Sequence, residues 1–391
     1  MESRPQGFGP RFWAVVGATF LGFLGMGTVL PGIAPHVRHD LGGSDQTVGF
    51  VIGIFSLVAL MSRFFSGPFA DRKGRKAAFQ VGLVSCALAG AAYLLPLGVA
   101  GAFLGRILQG FGEACLYTGA AAWAVETAGV ERSGQALGYV SSGIWGGISA
   151  GPAIGTFLGS FHRAAAMQIF TAVVAFVIVS RVTERYQPHP HEGKRQWLPR
   201  RIIVPGIAIG FVNVHYPAIA GFLILHLGAA NGVGRMAFTA YACMVLFSRF
   251  FFGGLPDRIH PAITFYGGLT LMAVGLLGIA AHPSAFLSVL SAGVLGLGFS
   301  FPWSSIAGRV LRETPASERG SAVGVISAFY DLFVGTSSFA AGAVAHRFGY
   351  SEVFLMGACG VGVAALIGRF VFWKKELVEP QVLDEVAVTR G

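Results

Sequence analysis

Apolar residues run along the chain in long stretches, cut at intervals by short polar clusters. Twelve stretches stand out, at about 12–35, 47–69, 76–96, 99–124, 135–160, 164–181, 202–226, 234–255, 262–281, 285–308, 320–345 and 350–373. A bilayer core about 30 Å thick needs about 20 apolar residues per helix, so each stretch can cross it. Strands of a membrane barrel would alternate over ~10 residues, and these runs are too continuous for that. The pattern predicts an all-α membrane protein with twelve transmembrane helices.

Composition agrees, at 54% hydrophobic and 12% charged, against roughly 25% charged in a soluble domain. Cys86, Cys115, Cys243 and Cys359 all fall inside apolar runs and suggest neither a disulfide framework nor a zinc site. Arg4 and Arg11 before the first stretch mimic a signal peptide, but the stretch is too long for a signal core and reads as an uncleaved span. Twelve spans put both ends on one side. Twenty of the 28 lysines and arginines lie in connections on that side, four on the other and four within spans, which makes the termini cytoplasmic. The net charge of +10 is then an orientation signal facing anionic lipid, not a nucleic-acid surface. The longest connection, 182–201, is polar, basic and proline-bearing. It divides the chain into halves 1–181 and 202–391. Its His189 and His191 read as part of a solvated loop.

The halves repeat. SRFFSGPFADR at 62–72 returns as SRFFFGGLPDR at 248–258, so that Arg63, Gly67, Asp71 and Arg72 match Arg249, Gly253, Asp257 and Arg258, all 186 residues on. ERSGQALG at 131–138 returns as ERGSAVG at 318–324, with Gly138 and Gly324 again 186 apart. The chain is a duplicated six-helix unit, two pseudo-symmetric bundles around an axis along the membrane normal. That layout suits a secondary transporter which alternates access to a midplane site.

Three motifs carry a family resemblance. GPFADRKGRK at 67–76 matches the loop 2–3 signature of the major facilitator superfamily, G-x-x-x-D-R-x-G-R-[RK]. RILQGFGEA at 106–114 resembles that superfamily's helix 4 motif. Gly138, Gly147, Gly151, Pro152 and Gly155 fall on the helix 5 motif of its proton-driven drug and metabolite exporters, with Thr156 in place of the last glycine. The resemblance spans the whole chain. It implies the major facilitator fold, a monomer in the bacterial inner membrane, and proton antiport. It also implies that Asp71, framed by Gly67, Arg72, Gly74 and Arg75, faces the start of the eleventh helix near Ser321 as a latch, made only while the cytoplasmic side is closed. The second copy keeps Asp257 and Arg258 but has His260, Pro261 and Ala262 at Gly74, Arg75 and Lys76, so its latch is degenerate.

Charges inside spans are costly and point to function. Glu113 and Asp331 lie near mid-span; Glu113 is the main candidate proton carrier, and Asp331 is a second carrier or a polar contact to substrate from the opposite half. Arg106, two turns from Glu113 on one helical face, is expected to modulate it; a structural ion pair is the competing reading. Gly147, Gly151 and Gly155 form one groove. Close packing accounts for it, and the exporter resemblance adds a seal against the other half. Arg63, Tyr117, Trp145, Asn213, His215, Arg249 and Trp303 are candidates for the substrate cavity, with packing the competing role for both tryptophans. Glu126 reads as solvated. No nucleotide loop, cofactor motif, metal site or nucleophile–base set occurs, which argues against an enzyme. The expected function is proton-coupled export of small organic molecules, with protons, substrate and membrane lipids as the partners. Nutrient uptake and uncoupled lipid or solute movement are the alternatives.

Overall fold

The structure, a computed structural model, describes residues 8–128, 132–184, 200–228, 232–252, 255–281, 284–314 and 319–372. Twelve long helices occupy these residues: α1 (Pro10–Asp40), α2 (Asp45–Lys73), α3 (Arg75–Leu94), α4 (Gly98–Ala128), α5 (Ser133–Leu158), α6 (Phe161–Ser180), α7 (Ile202–Leu227), α8 (Val233–Phe252), α9 (Pro261–Ala281), α10 (Ala285–Glu313), α11 (Arg319–Phe348) and α12 (Tyr350–Phe372). Ten are long and apolar enough to cross a membrane. Helices α4 and α5, of 31 and 26 residues, are long enough too. There is no strand among the described residues. Most of the expected linker, 185–199, lies outside them.

Local chemistry sets the helix ends. Ser44 caps α2 by accepting from the Thr47 amide at 3.1 Å, and Ser284 caps α10 by accepting from Leu287 at 3.3 Å. Between α2 and α3 the chain turns at Gly74 with φ +101°, and a Cβ there would meet the Glu184 carboxylate at 2.8 Å. Helices α1 and α7 are both irregular. A break at Val29 and a π-helical end at His36–Asp40 flank Pro31 in α1, while a 3-10 turn at Asn213–His215 and a π-helical stretch at Ala218–Phe222 flank Pro217 in α7. The two prolines are 186 residues apart. A proline inside a helix removes a hydrogen bond and bends it.

Helices α1–α6 pack as one bundle and α7–α12 as another. The repeat is kept in the joints. Gly112 lies against Gly82 and Cys86 as Gly298 lies against Gly268 and Met272, and Gly110 meets Phe55 as Gly296 meets Tyr241, every pair 186 apart. Where α1 meets α5, glycines 143 and 147 of α5 receive Val16 and Phe20. In the second bundle sizes are exchanged: Gly206 and Gly210 of α7 receive Phe329 and Phe333 of α11.

The bundles meet mainly along α2–α11 and α5–α8. The turn at 73–75 lies at one end of the molecule, called the basic end below. At the opposite end the closure is tight. A Cβ at Gly49 would fall on the Ser338 carbonyl and Gly342, and one at Gly53 on the Gly335 carbonyl. The apolar core of the second bundle continues there through Val29, Ile33, Val37, Val48 and Ile52 of the first.

Candidate functional site

Arg63 projects from α2 about 12 Å inward from Asp71, eight residues at ~1.5 Å each. Its guanidinium is shared by two carboxylates from different bundles. Nη2 donates to Glu113 Oε1 and Oε2 of α4 at 3.1 and 3.3 Å. Nε donates to Asp331 Oδ2 of α11 at 3.0 Å. Tyr117, one turn beyond Glu113, presents its ring 4.8 Å from the guanidinium carbon. The three charged side chains are only 17, 11 and 5% exposed. Charge-assisted bonds of this kind are short and strong. The cluster holds two acids and one base. The Arg63–Asp331 bond also ties α2 of one bundle to α11 of the other.

Arg249, the repeat partner of Arg63, reaches across the interface in the other direction. Its guanidinium carbon lies 4.3 Å from the ring centroid of Trp145 on α5, and Trp145 lies 6.2 Å from Trp303 of α10. The offset of 186 maps one cluster on the other residue by residue. Asp331 corresponds to Trp145, Glu113 to Phe299 and Tyr117 to Trp303. Both arginines therefore contact the matching position of the opposite bundle; one finds an acid there and the other an indole. Among the described residues Arg249 has no carboxylate partner, and its Nε is buried without a hydrogen bond.

Between the bundles lies a cavity of about 50 Å³, lined by Leu30, Trp145, Ile148, Ser149 and Pro152 on one side and by Tyr216, Ile219, Phe238, Tyr241, Val245, Phe299 and Tyr330 on the other. Such a volume holds a few waters. An organic ligand enters only when the bundles part.

The structure gives the other expected residues neighbours of their own. Arg106 does not serve Glu113: it donates to the Val51 and Ile52 carbonyls of α2, both at 3.2 Å, and to Gln109 Oε1 at 2.7 Å. Gln109 continues to Gln168, and Gln168 to the Cys86 carbonyl. This is a polar brace inside the first bundle. The glycines of α5 do not seal against the other bundle. Gly147 meets the Phe20 carbonyl, Gly151 meets Gly27 and Gly155 meets Thr28, all on α1, while a Cβ at Gly138 would meet nothing within 4 Å. Of that motif, Pro152 lines the cavity. Asn213 and His215 do not line the cavity. Asn213 donates to the Ile209 carbonyl at 2.7 Å, and His215 packs against Phe299 and Gly357. The irregular turn of α7 brings Tyr216 to the cavity instead.

Arg75 does not tie down Asp71. It pairs with Glu126 Oε2 at 2.7 Å, and its amide donates to Glu184 Oε1 at 2.6 Å. Lys76 donates to the Ser180 and Val182 carbonyls, both at 2.8 Å. The second half of the loop motif thus knits α3 to α4 and α6 within one bundle, and Glu126 is a partner in it. Gly67 and Asp71 are half-buried and Arg72 and Arg258 exposed. The side chains of Asp257 and of Ser321, the expected neighbour of Asp71, lie outside the described residues. In the second copy His260 Nδ1 accepts from the Ala262 amide at 3.2 Å, capping α9 where Gly74 turns the first copy.

The sequence reading also passed over a polar contact at the opposite end. Asp45 Oδ1 accepts from Arg38 Nε at 3.1 Å and from the Tyr350 hydroxyl of α12 at 2.9 Å, the latter across the bundles.

A family model described as Major Facilitator Superfamily matches residues 15–214 and again 202–389. The chain is 28% identical over 368 residues to an uncharacterised MFS-type transporter of Salmonella typhimurium, covering 90% of this chain and 93% of that one. It is 24% identical over 391 residues to the uncharacterised MFS-type transporter YhhS of Escherichia coli, covering 96% and 95%. Among solved structures it resembles the nucleoside transporter NupG with a TM-score of 0.76 at 14% identity, covering 93% of this chain and all of that one. It resembles a D-xylose-proton symporter with a TM-score of 0.73 at 16% identity, covering 92% and 97%. At such identities the likeness concerns the fold. Matched over nearly its whole length by two copies of one family model, this integral membrane protein belongs to the Major Facilitator Superfamily and is a secondary transporter, not an enzyme.

Proposed function

We propose that the protein is a proton-coupled exporter of small organic molecules, working as a monomer in the bacterial inner membrane with both termini cytoplasmic. The observation that carries this reading is the buried guanidinium of Arg63, shared by Glu113 of one bundle and Asp331 of the other. Two carboxylates and one guanidinium leave one negative charge in excess, and a low-dielectric site discharges such an excess by taking a proton. Protonation of Asp331 removes its ion pair with Arg63 and with it a bond between α2 and α11. Protonation of Glu113 leaves Arg63 to Asp331 alone and tightens that bond. The occupancy of these two acids therefore biases the equilibrium between conformers, which is what coupling to a proton gradient requires. The latch at Asp71 acts on the same equilibrium from the basic end. Residues 1–181 and 202–391 are the moving halves, with 182–201 as the linker between them.

The test is transport in proteoliposomes. Glu113→Gln and Asp331→Asn should each lose pH-gradient-driven transport by about a hundredfold while keeping substrate exchange without a gradient, since general acid–base roles are worth that order. Full gradient-driven transport by both variants would reject the proton-carrier role.

A further inference from the structure

The internal repeat leaves one of two equivalent arginines without its acids. Arg63 has Glu113 and Asp331. At the corresponding places around Arg249 stand Phe299 and Trp145. A guanidinium stays charged at any pH a cell meets, and a charge inside a membrane protein is kept where it meets an opposite charge or a pathway. The Trp145 face relieves part of the cost, but among the described residues nothing receives the proton of the buried Nε. The same Trp145 lines the cavity between the bundles, together with Tyr241 and Tyr330. A cation with no carboxylate partner among the described residues thus stands against the Trp145 wall of that cavity.

We propose that Arg249 receives the acidic group of the substrate, and that the transported molecules are amphipathic organic anions. The carboxylate bonds to the guanidinium; the apolar or aromatic body lies against Trp145, Tyr241 and Tyr330. This rests on reading the cavity as the transport site and adds the substrate class to it. An organic cation finds no acid in the lining of this cavity, and Glu113 and Asp331 are held by Arg63. A neutral ligand leaves Arg249 as unsatisfied as before, now with less water around it.

The test is equilibrium binding of a matched series to the purified full chain in detergent, by calorimetry: 4-phenylbutyrate, 4-phenylbutanamide and 4-phenylbutylamine. The acid should bind about tenfold or more tightly than the amide, because the site is built to satisfy a charge, and the amine should not bind. Arg249→Gln should abolish the preference for acid over amide, and Arg249→Lys should retain it. Equal binding of acid and amide, preference for the amine, absence of binding by all three, or an Arg249→Gln protein that still prefers the acid would each overturn the proposal. The wild-type series decides even if a variant does not fold. No gradient is involved, so a protein that selects the acid yet fails to couple to protons would refute the exporter reading alone. A protein that couples to protons but binds only the amine would refute this one alone.

Discussion

At the scale of single residues, one motif on α5 separates into different jobs. A Cβ at Gly155 would fall on the Thr28 carbonyl of α1, backbone against side chain, and neither can yield. Gly155→Ala should cost about 1–3 kcal/mol, the usual range for overpacking, read as a lower midpoint of thermal unfolding in detergent. Gly138 has open space around it, so Gly138→Ala should stay within about 0.5 kcal/mol of the parent. The sequence puts both in one motif, since spacing reports only that residues share a helical face. It does not report which neighbour fills that face. The same limit explains Arg106. Its distance from Glu113 along α4 was correct, but the side chain turned to the α2 carbonyls, which no local pattern encodes.

At the scale of elements, the apolar spans and the duplication were readable because both leave a periodic record in the chain. The contact between Arg63 and Asp331 was not read, because the two lie 268 residues apart. A signal for it did exist. Adding the repeat offset to Trp145 gives Asp331, so any contact found at one arginine names a position to inspect at the other. The closure between α2 and α11 carries its own prediction. Asp45 and Tyr350 hold the opposite end across the bundles, next to backbone packing at Gly49 and Gly53. Tyr350→Phe removes the bond and leaves the ring. It should shift the population toward the conformer open at that end by about two- to tenfold, the worth of one hydrogen bond. Distance measurements between spin labels at that end would read the shift; an unchanged distribution would show that the glycine packing alone holds the closure.

At the scale of the whole molecule, the repeat gives two matching interface sites of opposite electrical character. With both acids ionised the Arg63 cluster carries one negative charge in excess, and the Arg249 cluster carries one positive. Had each arginine met one acid, each site would be neutral and the two sites interchangeable. In the proposed cycle a proton enters through the first site and a monovalent anion leaves through the second, never both in the same direction. Each turn then moves two positive charges inward. A membrane potential of 100 mV, inside negative, would contribute about 4.6 kcal/mol to that turn, two charges at ~2.3 each. A potassium diffusion potential imposed on proteoliposomes at equal pH on both sides should therefore drive export by itself. Indifference to the potential would mean that the two sites discharge together. The gathering of both carboxylates around one of two duplicated arginines would thus turn a solute carrier into a device that senses voltage.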